Sequence, residues 1–222
     1  MQWMLIAVAA LIAVYVAVLL WWRYASRRRN LPCPFWLSWL LTNPLRPGAG
    51  SAPILDRLDL KPGMRVLDVG CGPGRVSIPA AQRVGTEGEV VSLDIQEAML
   101  KKLQQRAAAC GVANIRTILG PAEEAALEAD SCDRALLVWV LGEIPDQAAA
   151  LRQILAALKP GGLLSITETL RDPHYQRVGT VLRLAESAGF CRGEYYKSCL
   201  SYTIHFVKPA AGSRYCLTNG CS

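Results

Sequence analysis

Apolar and polar positions along this chain fall into two regimes. From Met1 to Trp22 no side chain is charged, and the apolar run is unbroken by any turn signal. From about Ser51 onward, short apolar runs such as Val66-Leu67-Asp68-Val69 and Val90-Val91-Ser92-Leu93 alternate with longer amphipathic stretches. The pattern predicts strands over 65–69, 89–94, 115–119, 133–138 and 162–167. Helices are expected at about 75–83, 97–109, 147–158 and 177–188, with a short one near 122–128. Two closing strands, 193–199 and 201–207, have no helix between them and read as an antiparallel hairpin. Strands alternating with helices call for a parallel sheet covered on both faces. The fold class is therefore α/β, a Rossmann-like doubly wound seven-stranded sheet with a terminal antiparallel hairpin. Its ligand crevice belongs at the carboxyl ends of the strands. Pro79 falls within the first of these helices and is tolerable only near its first turn, so that helix should begin late or bend.

The amino-terminal regime reads as a membrane span. At roughly 1.5 Å per residue, residues 1–22 cover the roughly 30 Å hydrocarbon core of a bilayer. Trp3, Trp21 and Trp22 stand at its two ends, where aromatic belts lie. A cleaved signal peptide is the rival, but the segment lacks a basic n-region and a small-residue cleavage site. Arg23, Arg27, Arg28 and Arg29 follow the span, which by the positive-inside rule places the rest of the chain in the cytoplasm. The expected localisation is single-pass membrane, with the catalytic domain facing the cytoplasm.

Charge supports this division. The formal net charge is +6, and residues 1–50 hold Arg23, Arg27, Arg28, Arg29 and Arg46 with no acid, so only +1 belongs to the remainder. The basicity suits anionic lipid head groups. It excludes a nucleic-acid footprint, which needs a basic face on the folded domain. Residues 23–50 form a basic, interfacial juxtamembrane segment in which Pro34–Leu41 is too short to span; it reads as an interfacial helix or a lid on the domain. Asn43 to Gly50 breaks regular structure, so the domain is expected over 51–208, with a flexible tail over 209–222.

The chemistry gathers at Val66-Leu67-Asp68-Val69-Gly70-Cys71-Gly72-Pro73-Gly74, a strand running into a glycine-rich turn that opens a helix. Bare backbone there lets a ligand approach closely, and the next strand ends on Asp94, placed to bond ribose hydroxyls. A dinucleotide fingerprint would need glycine where Arg75 stands. Asp68, at the strand's end, would repel a pyrophosphate but suits an ammonium group. The pattern favours S-adenosylmethionine, which carries an ammonium and a ribose but no phosphate, over NAD, FAD or ATP.

Four motifs, VLDVGCGPG at 66–74, SLDI at 92–95, CDRALLVWVLGEIPD at 132–146 and LKPGGLLSITET at 158–169, occur in order and spacing. With them the chain from about Ser51 to Lys208 resembles the class I S-adenosylmethionine-dependent methyltransferases, of the small-molecule type related to quinone and arsenite methyltransferases. The resemblance implies that Asp68 with the loop Gly70, Cys71, Gly72 and Gly74 holds the amino-acid end of the cofactor. It gives Asp94 the ribose, Ile95 the adenine face, Ala122 or Glu123 the adenine amine, and Val138 the neighbourhood of the sulfonium. Pro121 stands where relatives often carry the adenine-contacting acid.

Methyl transfer is an in-line displacement for which alignment suffices, and a base is needed only when the acceptor must lose a proton. Candidates are Glu143, after the fourth strand, and His174 with Tyr175, after the fifth. Glu168 is read as lining the pocket or holding a loop, and His205 as a packed, hydrogen-bonded residue. The expected acceptor is a small hydrophobic molecule, a quinone or a lipid reached at the bilayer. The alternatives are a tethered, non-catalytic cofactor-binding module and an anchored NAD-dependent oxidoreductase.

The eight cysteines show neither C-x-x-C nor a neighbouring histidine at ligand spacing, so no metal site is expected. Cys71, Cys110, Cys132, Cys191 and Cys199 are expected reduced in a cytoplasmic domain, and Cys216 and Cys221 free.

Overall fold

The structure, a computed structural model, describes residues 2–29, 32–33 and 51–210. The expectations for Pro34–Leu41, for 43–50, for Cys216 and Cys221 and for most of the tail lie outside the described residues. A long helix α1 (Gln2–Arg29) is followed, after the break, by α2 (Ala52–Arg57), β1 (Arg65–Val69), α3 (Ser77–Val84), β2 (Glu89–Asp94) and α4 (Glu97–Ala109). Then come β3 (Ile115–Leu119), β4 (Cys132–Val138), a 3-10 turn at Leu141–Glu143, α5 (Gln147–Ala157), β5 (Leu158–Thr169), α6 (Val178–Ser187), β6 (Cys191–Lys197) and β7 (Ser201–Val207).

The seven strands form one sheet in the order β3-β2-β1-β4-β5-β7-β6. The first five run parallel, and β7 lies antiparallel between β5 and β6. Alternation along the strands explains why both faces are covered. Leu67, Val69, Val91, Leu93, Ala135 and Leu137 point to one face, packed with Leu151 and Ile154 of α5 and Val181 of α6. Val66, Val90 and Leu136 point to the other, against Leu55 of α2 and Ala80, Ala81 and Val84 of α3. Connections leave β1 in one direction and return to β4 on its other side, so the ends of β1 and β4 flank a crevice, the expected place for a ligand.

α3 does begin late, at Ser77, which leaves Pro79 in the first turn, where a missing N–H costs nothing. The helix expected near 122–128 is absent. Pro121 to Glu124 makes a single turn, and Ala122 and Ala125 are drawn into the core instead of lying on a helix face. β5 starts earlier than expected, because Leu158 already pairs with Cys132 before a register shift precedes the pairing of Arg134 with Leu163.

Cys191 is also corrected. It is disulfide-bonded, with its partner outside the described residues, while Cys33, Cys71, Cys110, Cys132 and Cys199 are free thiols.

Along α1 the described apolar side chains, among them Trp3, Leu11, Ile12, Val14, Leu20 and Trp21, are exposed. Over the described residues alone, no helix is long and apolar enough to cross a membrane. The side chains of Met4, Leu5, Ala9, Leu19 and Trp22 fall outside that description, so the span stays a reading of the sequence.

Candidate active site

A cavity of about 570 Å³ opens at the carboxyl ends of β1, β2 and β4. Its floor is the glycine turn. Gly70 and Gly72 adopt φ of 68° and 52°, which side-chain-bearing residues rarely take. A Cβ on Gly70 would stand 2.2 Å from the Val140 side chain. The N–H groups of Gly70 and Cys71 both donate to the Leu93 carbonyl, tying the turn to β2. Gly74 does not line the cavity; a Cβ there would press on Leu103, so its role is close packing against α4. The Cys71 side chain is buried with Leu100 and Leu103, and burial raises its thiol well above the ordinary value.

Asp68 and Asp94 both line the cavity. Asp68 is buried at the end of β1, and its Oδ2 accepts the Ser77 hydroxyl at 2.6 Å. Burial pushes its carboxyl up to about 6, against the pull of that hydrogen bond and of Arg75. Such an under-compensated carboxylate fits an ammonium group, which would lower it again. Asp94 uses both oxygens. Oδ2 accepts Gly72 N–H and Oδ1 accepts Gln96 N–H, each at 2.8 Å, so the turn and the end of β2 are held together by one side chain. Burial raises this carboxyl as well. Each oxygen keeps a second lone pair that a ribose hydroxyl can use. Ile95, half-exposed, lines the same side, as do Ala122, Glu123 and Val138. The residues expected to bind the cofactor therefore line one cavity, Gly74 excepted.

A second group of lining residues is acidic around a histidine. Glu143 ends the 3-10 turn after β4, and Asp172 and His174 follow β5. The two loops approach closely because Gly142 has no side chain; a Cβ there would lie 2.0 Å from the His174 carbonyl oxygen. Asp172 Oδ1 accepts His174 N–H at 2.6 Å and also lies 3.7 Å from its Nδ1, while Glu143 Oε1 lies 3.8 Å from the same nitrogen. Burial and the nearby Asp172 push Glu143 up to about 7, opposed by His174. A carboxyl titrating near neutrality in a cleft is suited to taking a proton.

Tyr175 does not join them. It lies outside the cavity lining, its ring edge-on to Tyr202 with centroids 6.0 Å apart. The chain turns there because Gln176 is held at both ends: its N–H donates to Glu168 Oε2 at 3.1 Å, and its carbonyl accepts the Tyr202 hydroxyl at 2.6 Å. Glu168 thus holds a loop and does not line the cavity. Its burial pushes the carboxyl up to about 8. His205 is packed edge-on against Tyr196, as expected, but its ring nitrogens have no hydrogen-bond partner among the described residues, the nearest acid being Glu194 at 3.8 Å.

Sequence reasoning missed several lining residues. Trp139, just past β4, takes φ of 62°, and the Arg75 guanidinium lies 4.1 Å over its ring, forming part of the wall. A non-glycine residue at positive φ leaves no local signature, although strain of this kind gathers at functional sites. Asp172 sits two residues before His174, a spacing that could have marked it as a local acceptor. Cys33 and Gln96 also line the cavity and come from distant parts of the chain.

Residues 60–189 match the family described as a methyltransferase domain. The chain is 35% identical over 136 residues to nocamycin O-methyltransferase of Saccharothrix syringae, covering 58% of this chain and 49% of the relative. It is 35% identical over 116 residues to demethylmenaquinone methyltransferase of Geobacillus kaustophilus, covering 52% and 50%. The chain thus spans about half the length of the curated relatives it matches. Among solved structures, a SAM-dependent methyltransferase from Aquifex aeolicus shares the fold, with a TM-score of 0.73 at 22% identity over 79% of this chain and 98% of that one.

Proposed function

Because the chain belongs to the methyltransferase-domain family, we propose that it transfers the methyl group of S-adenosylmethionine to a small hydrophobic, quinone-type or lipid acceptor at a membrane surface. The observation that carries this reading is that one cavity is lined both by a glycine turn with Asp68 and Asp94 and by the Glu143–His174–Asp172 cluster. S-adenosylmethionine supplies the activated methyl group. Asp68 and the bare turn hold its ammonium end, Asp94 its ribose, and Ile95 packs beside its base. The apolar lining of Val138, Trp139, Val140, Ile144 and Leu200 excludes water and receives an apolar acceptor. Glu143 takes the proton of a hydroxyl or enolic acceptor, and His174, with Asp172 behind it, stabilises the charge that results.

Anchoring through α1 completes the proposal. Its support is a 28-residue helix, about 42 Å long, whose described apolar side chains find no cover in the protein. The arginines after Trp22 favour a domain facing the cytoplasm. The Cys191 disulfide pulls the other way, since oxidised pairs belong to oxidising compartments, and labelling the domain's thiols from either side of sealed membranes decides the orientation.

The test is release of S-adenosylhomocysteine by the full chain in vesicles of membrane lipid extract, with mass spectrometry of the extract for a methylated product. Glu143→Gln should slow turnover about 10²–10⁴-fold with cofactor affinity retained. No turnover with intact cofactor binding would leave a non-catalytic binding module.

A further inference from the structure

Two residues that precede the domain by a wide margin in sequence sit at its active cavity. Pro32 and Cys33 line the cavity directly. The Cys33 N–H donates to Glu143 Oε2 at 3.4 Å, across 110 residues of chain, and the Cys33 carbonyl accepts Gln96 Nε2 at 3.0 Å. Gln96 is itself fixed, since its backbone N–H donates to Asp94 Oδ1. A series of contacts therefore runs along the cavity from Asp94 through Gln96, Cys33 and Glu143 to His174 and Asp172, linking the residues proposed for the cofactor to those proposed for the acceptor.

We infer that Cys33, through its backbone, is a positioning residue for Glu143, and that the strap Pro32–Cys33 is a working part of the site. The inference rests on the reading of Glu143 as the group that takes the acceptor's proton. Geometry carries it. The Glu143 carboxylate is approached at both oxygens: Oε1 lies 3.8 Å from His174 Nδ1, and Oε2 accepts the Cys33 N–H, the contact that orients it. Electrostatics agrees. Asp172 and Asp94 both disfavour a charge on Glu143, as does burial, whereas His174 and the Cys33 N–H favour it. A backbone N–H cannot titrate, so its support for the carboxylate is constant across the working pH range.

The test is the pH–rate profile of the full chain. Cys33→Pro removes the donor, so the acid limb should move up by about half to one pH unit. The rate near pH 6 should fall about 3–10-fold, while the rate above pH 8 stays within about twofold. Cys33→Ala keeps the N–H and should restore the wild-type limb. Gln96→Ala cuts the strap's other tie without touching either Glu143 or the Cys33 N–H, and should move the limb in the same direction. Calorimetry with S-adenosylmethionine verifies that each variant is folded. If Glu143→Gln erases the acid limb while Cys33→Pro and Gln96→Ala leave it in place, the strap has no part in the chemistry. If Glu143→Gln keeps the wild-type profile, the base reading itself is wrong, and the strap inference goes with it.

Discussion

Asp94 holds two backbone N–H groups and still offers lone pairs to a ligand, so its loss is felt twice. On the proposed reading, Asp94→Ala removes the acceptor for the ribose hydroxyls; it also frees the Gly72 end of the turn, a cost of roughly 1–3 kcal/mol. Affinity for S-adenosylmethionine should fall about tenfold or more in calorimetry while the fold survives; unchanged affinity would show that the ribose lies elsewhere. Asp94, Gly70 and Gly72 stand on the cavity, as expected from the sequence, because their placement is set by a strand end and its turn. Trp139 and Cys33 were not expected there. The first depends on a strained φ, the second on a contact across half the chain, and neither leaves a mark on its neighbours. Tyr175 shows the converse error, for adjacency to His174 in sequence placed it at the cavity, whereas the grip on Gln176 turns it toward Tyr202.

Strands were more legible than helices. An apolar run buried on both faces reads the same in sequence and in structure, and β1 and β2 fall where expected. The stretch near 122–128 failed because two alanines compatible with a helix were claimed by the core on the way to β4. Between β5 and α6, the loop carrying Asp172 and His174 is tied down by Glu168, buried at the end of its strand. Its carboxyl rises from an ordinary 4.5 to about 8, chiefly by burial, so the folded chain binds that proton more tightly than the unfolded one. The sign follows: this contribution to stability is full below about pH 4.5 and is lost as pH rises through 8. Glu168→Gln keeps an acceptor for the Gln176 N–H and carries no charge. Its melting temperature should exceed the wild type's by roughly 5 °C or more at pH 8.5 and match it near pH 5. A wild-type melting curve flat across that range would show that Glu168 ionises freely.

At the scale of the molecule, an apolar helix ends two residues short of a strap seated on the cavity of a self-contained α/β domain. Deleting residues 1–30 should release the domain from washed membranes. It should leave cofactor affinity unchanged, since the sheet, the glycine turn and Asp94 all lie beyond the cut. Turnover should drop mainly for an acceptor presented in vesicles, and little for a water-soluble one; equal rates on vesicles with and without α1 would remove the case for a bilayer-borne acceptor.

Two residues separate Arg29, the end of α1, from Pro32 on the cavity wall. A chain of that length reaches no more than roughly 11 Å. On the anchored reading the cavity is therefore moored against the lipid head groups and cannot sample the bulk phase. Its substrate pool is then two-dimensional, and turnover follows the mole fraction of acceptor in the leaflet. Diluting that leaflet with inert lipid starves the enzyme, while diluting the suspension with buffer does not.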